Sequence, residues 1–339
     1  MQEINWISGT PIGYSVYEAV SRFTLLPENV LEIILCLRGE ICFFDGYEDT
    51  RLREGEFISV DSDAYYLHDG KNNLTASLYL DLKPFYEKYP LYRQCEFILE
   101  GYAESKKAYP TLAYINVQGM ILGILSYLLE WEKDGLWEEP VQETQIAYNL
   151  DWQKNGKSLT GADEKRDTLC HMADTIFLFM VNKFDALFYW SDHSDFSENY
   201  IARYHEISSY IREHPTDHVT LGDLSREFHL TESYISEFLR KSGLSFKEIL
   251  FYYRSNIAER LLLTTQKTMG EIAELCGFSN GKIFTAYFKK WHHCTPREYR
   301  KIFTQEIADD LCYKNLAEIE GALQRVSLIN QRMRLLNRL

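Results

Sequence analysis

The sequence predicts an α+β chain. An N-terminal β-barrel and a helical segment precede an all-α C-terminal domain, in which two helix-turn-helix motifs are joined by a linker helix. Three observations point to this. Between residues 14 and 82, short aliphatic runs alternate with turn residues, as closely spaced strands do. From residue 111 to 131, and again from 168 to 188, the chain turns apolar at lengths and spacings that suit helices. Between residues 220 and 300 one short pattern occurs twice.

The strands come first. Val30 to Leu37 is aliphatic, Arg38-Gly39-Glu40 predicts a turn, and Ile41 to Phe44 predicts the next strand. Asp45-Gly46 is a strong hairpin signal. Residues 52–60 give a further turn and strand around Gly55, and Thr75 to Leu82 alternates. A helix follows, with Leu112, Ile115, Leu122, Leu125 and Leu129 as its apolar positions. Residues 132–168 are polar and carry Gly135, Pro140, Gly156 and Gly161, which predicts a long loop with at most one short helix. Residues 168–188 predict a buried helix, and the polar run 191–198 predicts a hinge at the domain boundary. The expected divisions are 1–108, 109–192 with its insertion at 132–168, 193–303, and a helical tail at 304–339. In that tail Leu316, Ile319, Leu323, Val326, Asn330 and Met333 recur at heptad-like spacing. Such a stripe fits a helix docked on its own domain or a coiled coil with a partner.

A chain of 339 residues, 45% of them apolar, can build two or three cores. The formal charge is −14, yet residues 203–303 hold 15 Lys/Arg against 12 Asp/Glu, while the remainder holds 21 against 38. Basic residues therefore gather where the repeat lies, as an electrostatic footprint for nucleic acid requires. Met1 to Trp6 has neither the basic start nor the apolar core of a signal peptide. The longest apolar stretch, Ile121 to Leu129, is too short to span a bilayer. A cytoplasmic protein without membrane contact is expected. The seven cysteines are scattered and form no C-x-x-C pair, so reduced thiols are expected, mostly as core filler.

The first copy of the repeat runs from Leu224 to Lys241 and the second from Ile272 to Lys290. Each reads as a short apolar helix, a turn, a hydroxyl cap, a second helix and a basic pair, the grammar of a helix-turn-helix reader of DNA. Leu224 and Phe228 should pack on Ile235 and Leu239, and Ile272 and Cys276 on Phe284 and Phe288. Gly277 suits a turn that needs positive φ, where the first copy has His229. Ser245 with Glu248, Thr268 with Glu271 and Thr295 with Glu298 predict capping boxes, the last with Pro296 at the first helical position. The outward face offers Ser233, Ser236 and Glu237 in the first copy, and Gly281, Lys282 and Thr285 in the second, as base readers. Arg240, Lys241, Lys289 and Lys290 suit phosphates, which position without specifying. The linker helix from Ser245 to about Leu263 rises roughly 27 Å, enough with its flanking turns to set two readers one duplex turn, about 34 Å, apart.

From about Tyr204 to Phe303 the sequence resembles the DNA-binding domain of AraC/XylS-type transcription regulators. The residues that carry this are Tyr210-Ile211, Leu221, Leu224, Tyr234-Ile235, residues 243–246 (Gly-Leu-Ser-Phe), Arg254, Ala258, Leu261-Leu262, Ile272-Ala273, Gly277-Phe278, Phe284, Phe288-Lys289 and residues 295–300 (Thr-Pro-Arg-Glu-Tyr-Arg). The resemblance implies a seven-helix domain that binds promoters, usually to activate them. It also implies that Arg254 and the linker helix join two readers, and Arg254 is counted among the expected phosphate contacts. Glu237 and Ala286 depart from the pattern, where family members often carry a basic or polar base reader, and Trp291-His-His-Cys294 replaces a basic-aromatic-glycine run. These departures bear on DNA sequence preference rather than fold.

The N-terminal half resembles the cupin-like sensor domain of many such regulators, on Leu37-Arg-Gly39-Glu40 and residues 52–57 (Leu-Arg-Glu-Gly-Glu-Phe). That implies a small effector, a sugar or related metabolite, in or at the mouth of the barrel, and a helical pair used for dimerisation. Tyr14, Tyr17, Arg38, Tyr65, Tyr66 and His68 are the candidate pocket residues, being polar or aromatic on predicted strands. Glu32 and His68 could be metal ligands of an enzymatic cupin, but such sites take about three imidazoles and the strands hold one. No metal, no cofactor and no catalysis are therefore expected. The expected partners are double-stranded promoter DNA, a small-molecule effector, a second copy of the chain and RNA polymerase. The rival readings are a metal-dependent cupin enzyme with a DNA-targeting module, and a constitutive DNA-binding protein without effector.

Overall fold

Alternation along two long strands gives the first half of the chain two unlike faces. The computed structural model describes residues 4–61, 64–93, 95, 111–134, 161–184, 197–304 and 309–336. Strands β1 (Asn5–Trp6), β2 (Ile12–Leu25), β3 (Val30–Phe44), β4 (Asp49–Arg53), β5 (Phe57–Asp61), β6 (Ala64–Asp81) and β7 (Asp310–Tyr313) form one antiparallel sheet. Its order is β1-β2-β6-β3-β4, with β5 also on β3 and β7 also on β2. Leu31, Ile33, Leu35 and Leu37 of β3, with Leu74, Ala76, Leu78 and Leu80 of β6, face the helices of the N-terminal half. The intervening Ile34, Cys36, Tyr65, Leu67 and Tyr79 form a separate cluster on the other face, joined by Tyr17.

The turn expected at Arg38-Gly39-Glu40 is instead a distortion inside one continuous strand. β3 runs through it, and its pairing with β6 shifts register at Cys36/Arg38, Arg38/Glu40 and Glu40/Cys42. Gly39 has φ +71°, and a Cβ there would collide with the backbone oxygens of Lys71 and Asn72. The glycine marks a bulge, where the strand bends without ending.

The second face carries a buried polar cluster. Arg22 and Glu32, 2% and 0% exposed, lie 3.6 Å apart. Arg22 donates to the Tyr79 hydroxyl (3.2 Å) and sits over the Tyr17 ring, and the Tyr65 hydroxyl donates to Glu32 (2.7 Å).

Helices α1 (Lys83–Lys88), α2 (Leu112–Lys133) and α3 (Gly161–Phe184) follow. Residues 161–168, expected in a polar loop, are the first turns of α3, where Asp163 and Glu164 suit the positive helix end. The rest of the expected insertion from 135 onward, and residues 191–196 of the expected hinge, lie outside the described residues. By length and composition α2 could cross a bilayer. Here its Ile115, Val117, Ile121, Leu125 and Leu128 are buried in the shared core.

The tail is not wholly helical, and it returns to the sheet. β7 pairs with β2 between Tyr17 and Ser21, and after a 3₁₀ turn at Leu316–Ile319 helix α11 (Glu320–Leu336) packs on α2. The one polar position of its stripe, Asn330, donates to the Ile115 carbonyl (2.8 Å) and to Gln118 (2.7 Å). The heptad-like pattern thus finds its apolar partner within its own chain. Cys36, Cys42, Cys95, Cys170 and Cys276 are buried, and none of the seven cysteines is in a disulfide.

The C-terminal half is helical: α4 (Glu198–Glu213), α5 (Leu221–Phe228), α6 (Glu232–Lys241), α7 (Phe246–Thr264), α8 (Met269–Leu275), α9 (Gly281–His292) and α10 (Pro296–Phe303). The three capping boxes form as their sequences predict, and Thr220 with Asp223 adds one at α5. The second copy departs from expectation at its cap: Asn280, not a hydroxyl residue, accepts from the Lys282 and Ile283 amides. Tyr66 stacks on Phe303 (5.3 Å between centroids) and Tyr47 on His293 (4.2 Å), which joins the sheet to α10 and the end of α9.

Gly39→Ala should destabilise the protein by more than about 1 kcal/mol, because alanine meets both a disfavoured φ and two carbonyl oxygens. Urea denaturation measures this, and an unchanged midpoint would place the bend elsewhere.

Candidate nucleic-acid interface

Each helix pair has a packed seam and an open side. In the first, Leu224 of α5 is buried with Ile235, Phe238 and Leu239 of α6, and Phe228 is half-buried against them. In the second, Ile272, Ala273 and Cys276 are buried with Phe284 and Phe288 of α9. The turns differ as their residues demand. Gly277 takes φ +75°, and His229 takes φ 53°, a left-handed conformation that glycine adopts freely and that histidine enters more readily than most side chains.

The open sides hold most of the residues expected there. Ser233, Glu237, Arg240 and Lys241 are exposed on α6 and Ser236 is half-buried. Gly281, Lys282, Thr285, Lys289 and Lys290 are exposed on α9. A Cβ at Gly281 would meet nothing within 4 Å, so no internal contact requires a glycine there. The bare backbone at that helix start is free for close approach by a partner. The exposed Thr285 donates its hydroxyl proton to the Gly281 carbonyl (2.8 Å), which leaves the oxygen's lone pairs free to accept. Tyr234, 49% exposed beside Ser233 and Glu237, was not among the expected base readers. Its signal lies in the spacing: Ile235 and Leu239 define the packed face, and position 234 falls outside it.

Two expected phosphate contacts are engaged internally. Lys290 donates to Glu248 (2.5 Å) and lies over the Trp291 ring. Arg254 is buried and cannot reach a phosphate. It donates to the carbonyls of Pro215 (2.6 Å), Asp217 (2.8 Å) and Gly277 (2.6 Å). Its role is to tie the turn before the first pair to the turn inside the second. Hydrogen bonds from a charged donor contribute about 1.5–3 kcal/mol each, so this tie is a large share of local stability. Helix α7 carries it. At 19 residues, α7 rises roughly 28 Å between the two pairs.

The expected effector residues do not converge. Tyr14 is buried on the helix-facing side of the sheet, while Tyr17 and Tyr65 lie in the cluster on the opposite face. Tyr66 is buried against α10 and donates to the Ile302 carbonyl (3.2 Å). Arg38 pairs with Glu18 (2.7 Å) at the surface, and His68 with Asp49 (2.6 Å). Glu32 is fully buried in the ion pair with Arg22, so it shares no site with partly exposed His68. A cavity of about 360 Å³ lies elsewhere, between the sheet and α7. Glu28, Asp61, Tyr86, Asn256, Arg260 and Thr264 are among its lining. Its walls come from segments some 200 residues apart, so no local pattern announces it.

Residues 224–302 match the family model of a helix-turn-helix domain. The C-terminal domain is of the AraC type. This AraC-type segment is 32% identical over 84 residues to the transcriptional activator PerA of Escherichia coli O127:H6, covering 25% of this chain and 31% of that protein. It is 32% identical over 103 residues to the transcriptional regulator YisR of Bacillus subtilis, covering 30% of this chain and 36% of that protein. The match thus spans about a third of the length of these curated relatives. Among solved structures, the C-terminal domain of the two-component response regulator yesN from Fusobacterium nucleatum is 37% identical, over 29% of this chain and 97% of that one, with a TM-score of 0.27. ToxT from Vibrio cholerae O395 is 15% identical over 87% of this chain and 99% of that one, with a TM-score of 0.41.

Lys282→Ala should relax preference at one base position, whereas Lys289→Ala should weaken all sequences alike and lower the salt slope by about one. Binding titrations at several salt concentrations separate the two. A second outcome concerns acid. Glu248 is held down from 4.5 to about 2, chiefly by its hydrogen bond from Lys290 and then by the Ser245 amide and hydroxyl. A carboxylate lowered in this way stabilises the fold at neutral pH and loses that effect as pH falls from 4.5 through 2. Glu248→Gln should therefore lose less stability than the native protein between pH 7 and pH 3, as measured by urea denaturation at each pH.

Proposed function

We propose that this chain is a ligand-responsive, sequence-specific regulator of transcription, acting on double-stranded promoter DNA as a homodimer. In this reading α6 and α9 enter successive major grooves. Ser233, Ser236, Glu237, Gly281, Lys282 and Thr285 read base edges, and Arg240, Lys241 and Lys289 hold phosphates. Tyr234 joins the first group.

The observation that carries the proposal is the double duty of α7. Through Arg254 it fixes the turn before one reader to the turn within the other. Through Asn256, Ile257, Arg260 and Thr264 it also walls the cavity against the sheet. A ligand that binds there better in one arrangement of the two halves shifts the population toward it, and so alters how the readers meet DNA. Two carboxylates and one guanidinium line the space, with apolar surface from Leu82, Tyr86 and Ile257. That chemistry fits a small polar metabolite. Activation, with its contact to RNA polymerase, is the direction we favour, since PerA is named as an activator.

The homodimer rests on apolar residues left in solvent. Lys133 pairs with Glu320 and Ile115 with Asn330, so α2 and α11 run antiparallel. That places exposed Leu112 at the same end as exposed Leu335 and Leu336. An exposed patch of this kind fits an association surface.

Footprinting on selected sequences tests the reading. Two protected stretches about ten base pairs apart on one face of the duplex are expected, and a single protected stretch overturns the double reader. A thermal-shift panel of metabolites should find a compound that stabilises the native protein by mass action. Asn256→Trp, which fills the cavity, should abolish that shift and leave basal DNA binding intact.

A further inference from the structure

On the outer part of the sheet, three unlike donor groups meet that the proposed function does not use. Cys42 of β3 stands directly across from His68 of β6, and Asp69 follows. One ligating atom from each of Cys42, His68 and Asp69 lies within 4.8 Å of the others. The His68 Nδ1 atom is 3.4 Å from an Asp69 carboxylate oxygen. The other ring nitrogen, Nε2, is 2.6 Å from the Asp49 carboxylate on β4. An imidazole fixed through one nitrogen by a carboxylate, with a second carboxylate at the other and a thiol within 4.8 Å, is the kind of arrangement that surrounds protein-bound zinc. Cys42 is 6% exposed and lies beneath, while His68 and Asp69 reach solvent.

We propose that Cys42, His68 and Asp69 form a binding site for a divalent transition-metal ion of the zinc class, with Asp49 as the positioning residue for His68. A thiolate, an imidazole and a carboxylate together suit zinc, cobalt or nickel and not the oxygen-seeking calcium or magnesium. Zinc–ligand bonds of about 2.0–2.3 Å place tetrahedral ligands roughly 3.5 Å apart, so a modest contraction closes the set. Binding releases the thiol proton to solvent and leaves a fourth position for water or for an outside ligand. Arg51 faces Cys42 across β3 and β4, but it is paired with Glu40 (2.9 Å). The site is distinct from the cavity beside α7. It lies at the base of the hairpin whose tip places Tyr47 on His293.

The test is titration of the reduced full-length protein with Co²⁺. One equivalent should produce a thiolate-to-cobalt charge-transfer band in the near ultraviolet, and Zn²⁺ should displace it. Cys42→Ser should remove the band. His68→Gln, a partly exposed position whose replacement keeps the metal-free melting temperature, should remove it as well. Asp49→Asn should weaken binding by about 10- to 100-fold without removing the band. No stoichiometric band in the native protein overturns the proposal. So does a band that survives His68→Gln, or one that is lost instead with Cys312→Ser or Cys294→Ser, the two thiols that are not buried.

Discussion

The guanidinium of Arg254 satisfies three backbone carbonyls that belong to two different turns, and the C-terminal half is organised around that fact. Turn carbonyls buried without partners would each cost on the order of 1–3 kcal/mol. One side chain supplies them all, from the middle of the helix that separates the two helix pairs. Gly277 is its counterpart. A Cβ there would lie 2.7 Å from the Thr216 oxygen and 3.2 Å from the Arg254 guanidinium, so only glycine lets the turn close on the arginine. Burial keeps solvent from competing for these bonds. The spacing of the helix pairs is thus fixed from inside the domain and leaves their outer faces to sequence variation.

The sheet solves a different problem. Its helix-facing side is aliphatic, and its other side is an apolar cluster that encloses a polar group, with Ser15, Ser77, Tyr17, Tyr65 and Tyr79 around Arg22 and Glu32. A buried ion pair adds little net stability, but removing one partner is costly because it leaves an uncompensated buried charge. Aromatic contacts join the sheet to the helical C-terminal domain alongside the ion pair between Arg260 and Glu28 (3.2 Å). Phe23, Tyr66 and Phe303 stack in sequence, with Tyr299 beyond them.

Local chemistry was legible in the sequence and long-range chemistry was not. Capping boxes depend on residues three apart, so Ser245, Thr268 and Thr295 announced their helix starts. The periodicity of Ile235 and Leu239 separated packed from open faces on α6. Arg38-Gly39-Glu40 misled because glycine with positive φ marks both turns and bulges, and only the partner strand decides between them. Arg254 looked like a phosphate contact because charge is visible in a sequence and burial is not. The pocket candidates failed for the same reason: Tyr14, Tyr17 and Tyr66 are all aromatic on strands, yet they belong to three separate clusters. The cavity beside α7 needs residues 28 and 260 in contact, and no periodicity encodes that.

The return of the chain to β2 has a mechanical consequence. The helical C-terminal domain is threaded between two parts of a single sheet-based unit, so it is attached by a strand of chain at each end. A domain on one tether can swing and twist freely, whereas a domain on two is confined to rocking about the line that joins its anchor points. Synthesis follows the same geometry. The stretch of β2 from Tyr17 to Ser21 waits for its β7 neighbour until the ribosome has made every helix from α4 to α10.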